Sequence, residues 1–124
     1  MTPKELEERL INFAVKIILF TDKITPSIAG KNLIGQMVRS GTSPALNYGE
    51  AQSAESGKDF IHKLKVILKE LRETHIALKI TDRAKLHNAQ LLLDSLLIEC
   101  NELISIFVKS VETSKNNQSK ITNR

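Results

Sequence analysis

The sequence predicts an all-α protein, an antiparallel up-down-up-down four-helix bundle, and three observations predict it. Apolar residues recur at alternating steps of four and three along four separate stretches. The stretches are joined by connections of a few residues, which favour antiparallel neighbours. A chain of 124 residues, 41% hydrophobic and 26% charged, is enough for one hydrophobic core and too short for two. Aromatic residues make up only 4% and Trp is absent, so Leu and Ile must fill that core.

The first helix opens on Thr2, Pro3 and Glu5: a capping threonine, proline at the first helical position, and a glutamate to close a capping box. Its seam is Leu6, Leu10, Phe13, Ile17, Phe20 and Ile24, with a second apolar stripe of Ile11, Ala14, Val15 and Ile18 beside it. So much apolar circumference on one helix means deep burial or a face kept for another subunit. Thr25 and Pro26 repeat the cap-then-proline signal and start a second helix near residue 27 that runs to about Ser53. Pro44 interrupts it, lacking the amide hydrogen that the Ser40 carbonyl needs, and predicts a kink. Gly41, Ala45 and Gly49 lie four apart on one face and predict a close approach by a neighbouring helix.

Ser56 to Lys58 punctuates the chain before a third helix with the seam Phe60, Leu64, Ile67, Leu71, Thr74 and Leu78. Thr81 and Asp82 are placed to cap a fourth, with the seam Leu86, Ala89, Leu93, Leu96, Cys100, Leu103 and Phe107. Leu92 and Ile98 lie beside that seam and exceed it. The bundle is expected over residues 1–112. From 113 to 124 the only apolar residue is Ile121, too little burial to offset ordering entropy, so this stretch is expected to be a disordered polar tail.

Motifs for catalysis are missing. A carboxylate di-metal bundle needs two Glu-x-x-His pairs, and the chain offers only one imitation, Asp59 and His62, which reads as surface. His75 and His87 have no partner at i+4, and there is no phosphate loop, nucleophile elbow or Cys/His pattern of thiol catalysis. The expectation is therefore a protein that is no enzyme, with no cofactor and no metal. Cys100 falls on the fourth seam, where a buried thiol acting as a small apolar residue is preferred over a reactive one. A single cysteine makes no internal disulfide, which points to a reducing compartment and a cytoplasmic setting. The first residues are charged at once, and no apolar run approaches the roughly 20 residues that span a bilayer, so no membrane partner is expected.

Charge is concentrated. The formal net charge is +4, but residues 56–85 carry eight positive against four negative side chains, whereas 86–112 carry one against four. Lys58, Lys65, Arg72 and Lys79 are spaced by sevens, and His62 and Lys69 fall between them on the same edge of the third helix. Such a cationic line would neutralise successive phosphates of RNA or DNA, with salt-sensitive and largely sequence-blind affinity. The alternative is a solvated face in which Asp59, Glu70 and Glu73 form ordinary surface ion pairs with it. No aromatics are interleaved, so base stacking on aromatic rings is not expected.

The stretch Arg39, Ser40, Gly41, Thr42, Ser43, Pro44, Ala45, Leu46, Asn47, Tyr48, Gly49, Glu50 resembles the Arg-Ser-Ala-x-Ser-x-x-x-Asn-x-x-Glu signature of the 23S rRNA intervening-sequence protein family. Lys58, Asp59, Phe60 and the run Leu68, Lys69, Glu70, Leu71, Arg72, Glu73, Thr74 look like that family's third helix, and the similarity spans about residues 5–110. Arg39, Ser40, Asn47 and Glu50 match the signature; Gly41 replaces its usual alanine and Pro44 departs from it. The resemblance implies a four-helix bundle able to assemble into a homopentameric ring. Through a related group, the accessory variability determinants of diversity-generating retroelements, it also implies a basic scaffold for nucleic acid and a protein partner.

Two functional readings follow. One is a non-enzymatic, self-assembling scaffold that binds RNA or DNA through backbone phosphates on Lys58, His62, Lys65, Lys69, Arg72 and Lys79. The other is a protein–protein interaction adaptor with no nucleic-acid binding. In both, Ile11, Val15, Ile18, Leu92 and Ile98 are candidates for the contact between copies.

Overall fold

The structure is a computed structural model that describes residues 1–122. Four helices account for most of it: α1 (Pro3–Thr21), α2 (Ile28–Ala51), α3 (Gly57–Arg83) and α4 (Gln90–Thr122). The described residues form no strand beyond one isolated bridge between Ile24 and His87. Each helix packs on two others, α1 on α2 and α4, α3 on α2 and α4. The fold is all-α, in keeping with a four-helix bundle.

The anticipated seams form the core. Leu10, Ile17, Phe20, Ile67, Leu71, Leu78, Leu93, Leu96, Leu103 and Phe107 are fully buried, with Phe13 and Leu64 nearly so. At the start of α1 the capping box is present in full, each of its two hydrogen bonds 3.1 Å long: Thr2 Oγ1 accepts from the Glu5 amide, and the Thr2 amide donates to Glu5 Oε2. The cap of α2 is two residues later than the sequence suggests. Ser27, not Thr25, accepts from the Gly30 amide; Ser27 is the extended residue at the cap, and the Thr25 amide is committed to the Leu86 carbonyl at 2.7 Å.

α2 runs on through Pro44, which is buried inside it. The close approach expected from small residues is made by Gly41, where an added Cβ would lie 2.9 Å from Ile17 Cγ2; Gly49 has open space and takes no part.

The third connection departs from expectation. Thr81 and Asp82 do not start α4; they form the last turn of α3, where Thr81 Oγ1 donates back to the Ala77 carbonyl. The Leu86 amide bonds the Thr81 carbonyl and the Lys85 amide the Asp82 carbonyl, the pattern that closes a helix when the next residue is left-handed. That residue is Lys85, at φ 55°. Leu86 and Ala89 consequently precede α4 instead of belonging to its seam, though both still pack on the core.

His87 organises this end of the molecule. Its Nδ1 accepts from the Ala89 amide at 3.1 Å, so Nε2 carries the proton and donates to Asp82 Oδ1 at 2.9 Å. This bond holds the Asp82 carboxyl below its usual range. The ring tilts against Phe20, and the Asn88 amide donates to the Lys23 carbonyl, tying the two connections at this end together.

α4 also corrects the expected boundary at 112. The helix continues through Thr122, across most of the stretch assigned to a disordered tail; Asn123 and Arg124 lie outside the described residues. Extending an existing helix costs far less than nucleating one. Half-buried Ser114 and Gln118 also rest beside Phe60 and Gly57 at the start of α3.

Candidate nucleic-acid interface

α3 is amphipathic along its whole length. Leu64, Ile67, Leu71, Thr74 and Leu78 face the core, and the residues on the opposite edge are Lys58, His62, Lys65, Lys69, Arg72 and Lys79. The first five of these are exposed and Lys79 is half-buried. At 1.5 Å per residue, Lys58 and Lys79 are about 32 Å apart along a straight line. Arg83, exposed in the last turn, continues the line past its predicted end at the same four-residue step, a signal available in the sequence. Ile76 is the one apolar member, 54% exposed between Arg72 and Lys79.

Whether such a line attracts polyanions depends on what neutralises it. Among the described residues, Lys58, Lys65, Lys69, Arg72 and Lys79 make no ion pair. Two of the three carboxylates that would supply ordinary surface pairs, Glu70 and Glu73, are engaged elsewhere. Arg39 of α2 reaches across to α3, its Nη1 donating to Glu70 Oε2 at 2.8 Å and its Nη2 to Glu73. Both bonds push the Arg39 guanidinium above its ordinary value, Glu73 foremost. Glu50 is held by Lys63 at 2.7 Å, which raises the Lys63 ammonium. His75, one turn from Lys79, is half-buried; burial first, then the Lys79 charge, lowers its pKa.

The signature residues of α2 are thus explained by contacts to α3. Ser40 accepts a buried 2.8 Å hydrogen bond from Thr74 Oγ1, in line with the Arg39 and Glu50 pairs on either side. Asn47 stays within its own helix, its Nδ2 donating to the Ser43 carbonyl and hydroxyl. Three of the four residues that match the signature, Arg39, Ser40 and Glu50, thus help fasten α2 to α3. The fastener α1 uses toward α4 was not anticipated: Arg9 donates to Glu99 at 2.5 Å and to Glu102 at 2.6 Å, which raises its pKa, the Glu99 hydrogen bond most.

The five candidate contact residues differ in exposure. Ile11, Val15 and Ile18 are exposed along one flank of α1, where the adjoining Glu7 is close enough to act on Tyr48 of α2. Ile98 is 63% exposed on α4, opposite the buried row Leu96, Cys100 and Leu103, and Leu92 is partly buried against the core. Cys100 is buried, its Sγ donating to the Leu71 carbonyl at 3.3 Å; burial, then the Glu99 charge, pushes the thiol up to about 12. Asp59 and His62 sit on the first turns of α3, and the described residues bring together no three His, Cys, Asp or Glu side chains able to hold a metal. No helix among them is long and apolar enough to cross a membrane.

No curated protein matches the chain. A protein with unknown function from the S23 ribosomal protein family of Bacteroides thetaiotaomicron has a similar structure, with a TM-score of 0.77 at 27% identity, covering 90% of this chain and 99% of that one. The family model described as 23S rRNA-intervening sequence protein matches residues 5–109, which include the α2 signature, the cationic line and the Arg39 clamp. The chain belongs to the 23S rRNA-intervening sequence protein family.

Proposed function

We propose that this protein is a non-enzymatic, self-associating scaffold that binds nucleic acid through backbone phosphates along α3, within an up-down-up-down bundle. The reading of the topology is supported by pairings that fall along one helix as they rise along the next: Arg39 with Glu70 and Glu50 with Lys63 between α2 and α3, and Gly57 with Gln118 and Leu71 with Cys100 between α3 and α4. One observation carries the binding claim: five cations on one exposed edge lack ion-pair partners, while Glu70 and Glu73 are occupied by Arg39. Unpaired cations in a row displace the counterions condensed on nucleic-acid phosphates, which is the main source of sequence-independent affinity.

Self-association is supported by the exposed Ile11, Val15 and Ile18 of α1 and Ile98 of α4, apolar surface that is costly to leave in water. A ring, pentameric as the family resemblance implies, would repeat the α3 line about its axis and strengthen its field. The same exposed residues favour the second reading, a protein–protein adaptor with no affinity for nucleic acid.

Gel-shift titration of mixed-sequence RNA and DNA at low salt separates the two. Wild-type protein retards both, and Lys65→Glu, Lys69→Glu, Arg72→Glu together abolish the shift. Absence of any shift by the wild type would leave the adaptor as the better reading.

A further inference from the structure

The cationic line of α3 is interrupted by an apolar side chain only at Ile76, and there the surface is concave. Leu33 and Gln36 of α2, with Arg72, Glu73, Ile76 and Ile80 of α3, line a shallow hollow of about 370 Å3. That lies at the small end of the roughly 300–1,000 Å3 that ligand pockets span. Ile76 and Ile80, 54% and 50% exposed, form one wall, and Leu33 closes the floor.

Its electrostatic surroundings are specific. Arg72 stands at the rim, Lys69 lies about one turn before it and Lys79 about two turns after it, and none of them is in an ion pair. The one acid in the lining, Glu73, is neutralised by Arg39. Gln36 donates through Nε2 to Asn32 at 2.7 Å, which leaves its amide oxygen free to accept.

An apolar slot with one amide at its edge, set into a row of free cations, fits a flat, apolar-faced group carried on a phosphate chain. A duplex keeps its bases stacked inside and winds away from a straight line of charge, whereas a single strand can lie along the helix and turn one base inward. Aliphatic walls can sandwich a base where aromatic rings are missing. We propose that this hollow seats one unstacked base of a single-stranded nucleic acid whose neighbouring phosphates lie on Lys69, Arg72 and Lys79. The proposal rests on the phosphate-binding reading of α3 and adds the class of nucleic acid.

The full-length protein is titrated with three fluorescent probes of equal phosphate number: a mixed-sequence DNA single strand, the same strand with abasic sites throughout, and a duplex. The base-carrying single strand is expected to bind about tenfold tighter than either of the others. Ile76→Ser with Ile80→Ser, which alters exposed side chains and no charge, should remove that advantage and leave the salt dependence as it was. A duplex or abasic chain bound as tightly as the base-carrying strand, or a double variant that keeps the preference, overturns the base slot and leaves the phosphate line standing. If no probe binds at low salt, both fall.

Discussion

Arg39 does two things with one side chain: it ties α2 to α3 and it withdraws Glu70 and Glu73 from the lysines of α3. Arg39→Gln should therefore lower Tm and also weaken binding to RNA, although Arg39 is outside the cationic line, because freed Glu70 and Glu73 would then compete with phosphates. A thermal melt and a binding titration on the same sample check both halves; a lower Tm with unchanged affinity would contradict the second. Gly41 is constrained by packing and not by its backbone: Gly41→Ala puts a methyl against Ile17 and should cost about 1–3 kcal/mol in denaturant unfolding. Combined with Ile17→Ala, it should cost less than the sum of the two single changes. Cys100, with its thiol pushed up to about 12 by burial, should resist a thiol reagent at neutral pH until the protein is unfolded. At this scale the sequence was informative where spacing alone decides burial, as for Cys100 and the α3 lysines. It was silent on which carboxylate meets which cation, because those pairs join residues as far apart as Arg9 and Glu99.

Among the elements, the seams of α1, α3 and α4 could be read from three-four spacing because each buries a nearly continuous apolar stripe. The ends were harder. The end of α3 carries no glycine: Lys85 takes the left-handed position that glycine normally fills, so Thr81 and Asp82 looked like the beginning of the next helix. A Lys85→Gly variant should be more stable by about 1 kcal/mol, since a side chain in that conformation is strained; equal or lower stability in chemical denaturation would contradict the Schellman ending. The acid side tests the same corner. Because His87 holds the Asp82 carboxyl below its usual value, the stability it contributes is present above the ordinary aspartate range and is lost as pH falls through the lowered value. Asp82→Asn should accordingly flatten the decline in stability below about pH 4. At the other end of the chain, composition misjudged residues 113–120, where helix propagation and the contact of Gln118 with the start of α3 outweigh the lack of apolar residues. Backbone chemical shifts should stay helical there.

Taken whole, the molecule carries an edge of unpaired cations on α3, with Ile76 and Ile80 exposed beside it, and further exposed apolar residues on α1, α2 and α4. Spacing revealed both edges but not their relation, since Ile11, Val15 and Ile18 lie on one flank of α1 while Ile98 points away from the core of α4. If the apolar residues join copies of the chain, native mass spectrometry should report one oligomer, and Val15→Asp with Ile18→Asp should dissociate it without loss of helix content. The central claim, that the α3 line binds phosphates, is tested most directly by the salt dependence of affinity for a single-stranded RNA. Plotting log K against log salt for the wild type and for the Lys65→Glu, Lys69→Glu, Arg72→Glu variant, the slope should become shallower by at least about 2, the share of three phosphate contacts. Equal slopes and equal affinities for the two proteins would contradict it.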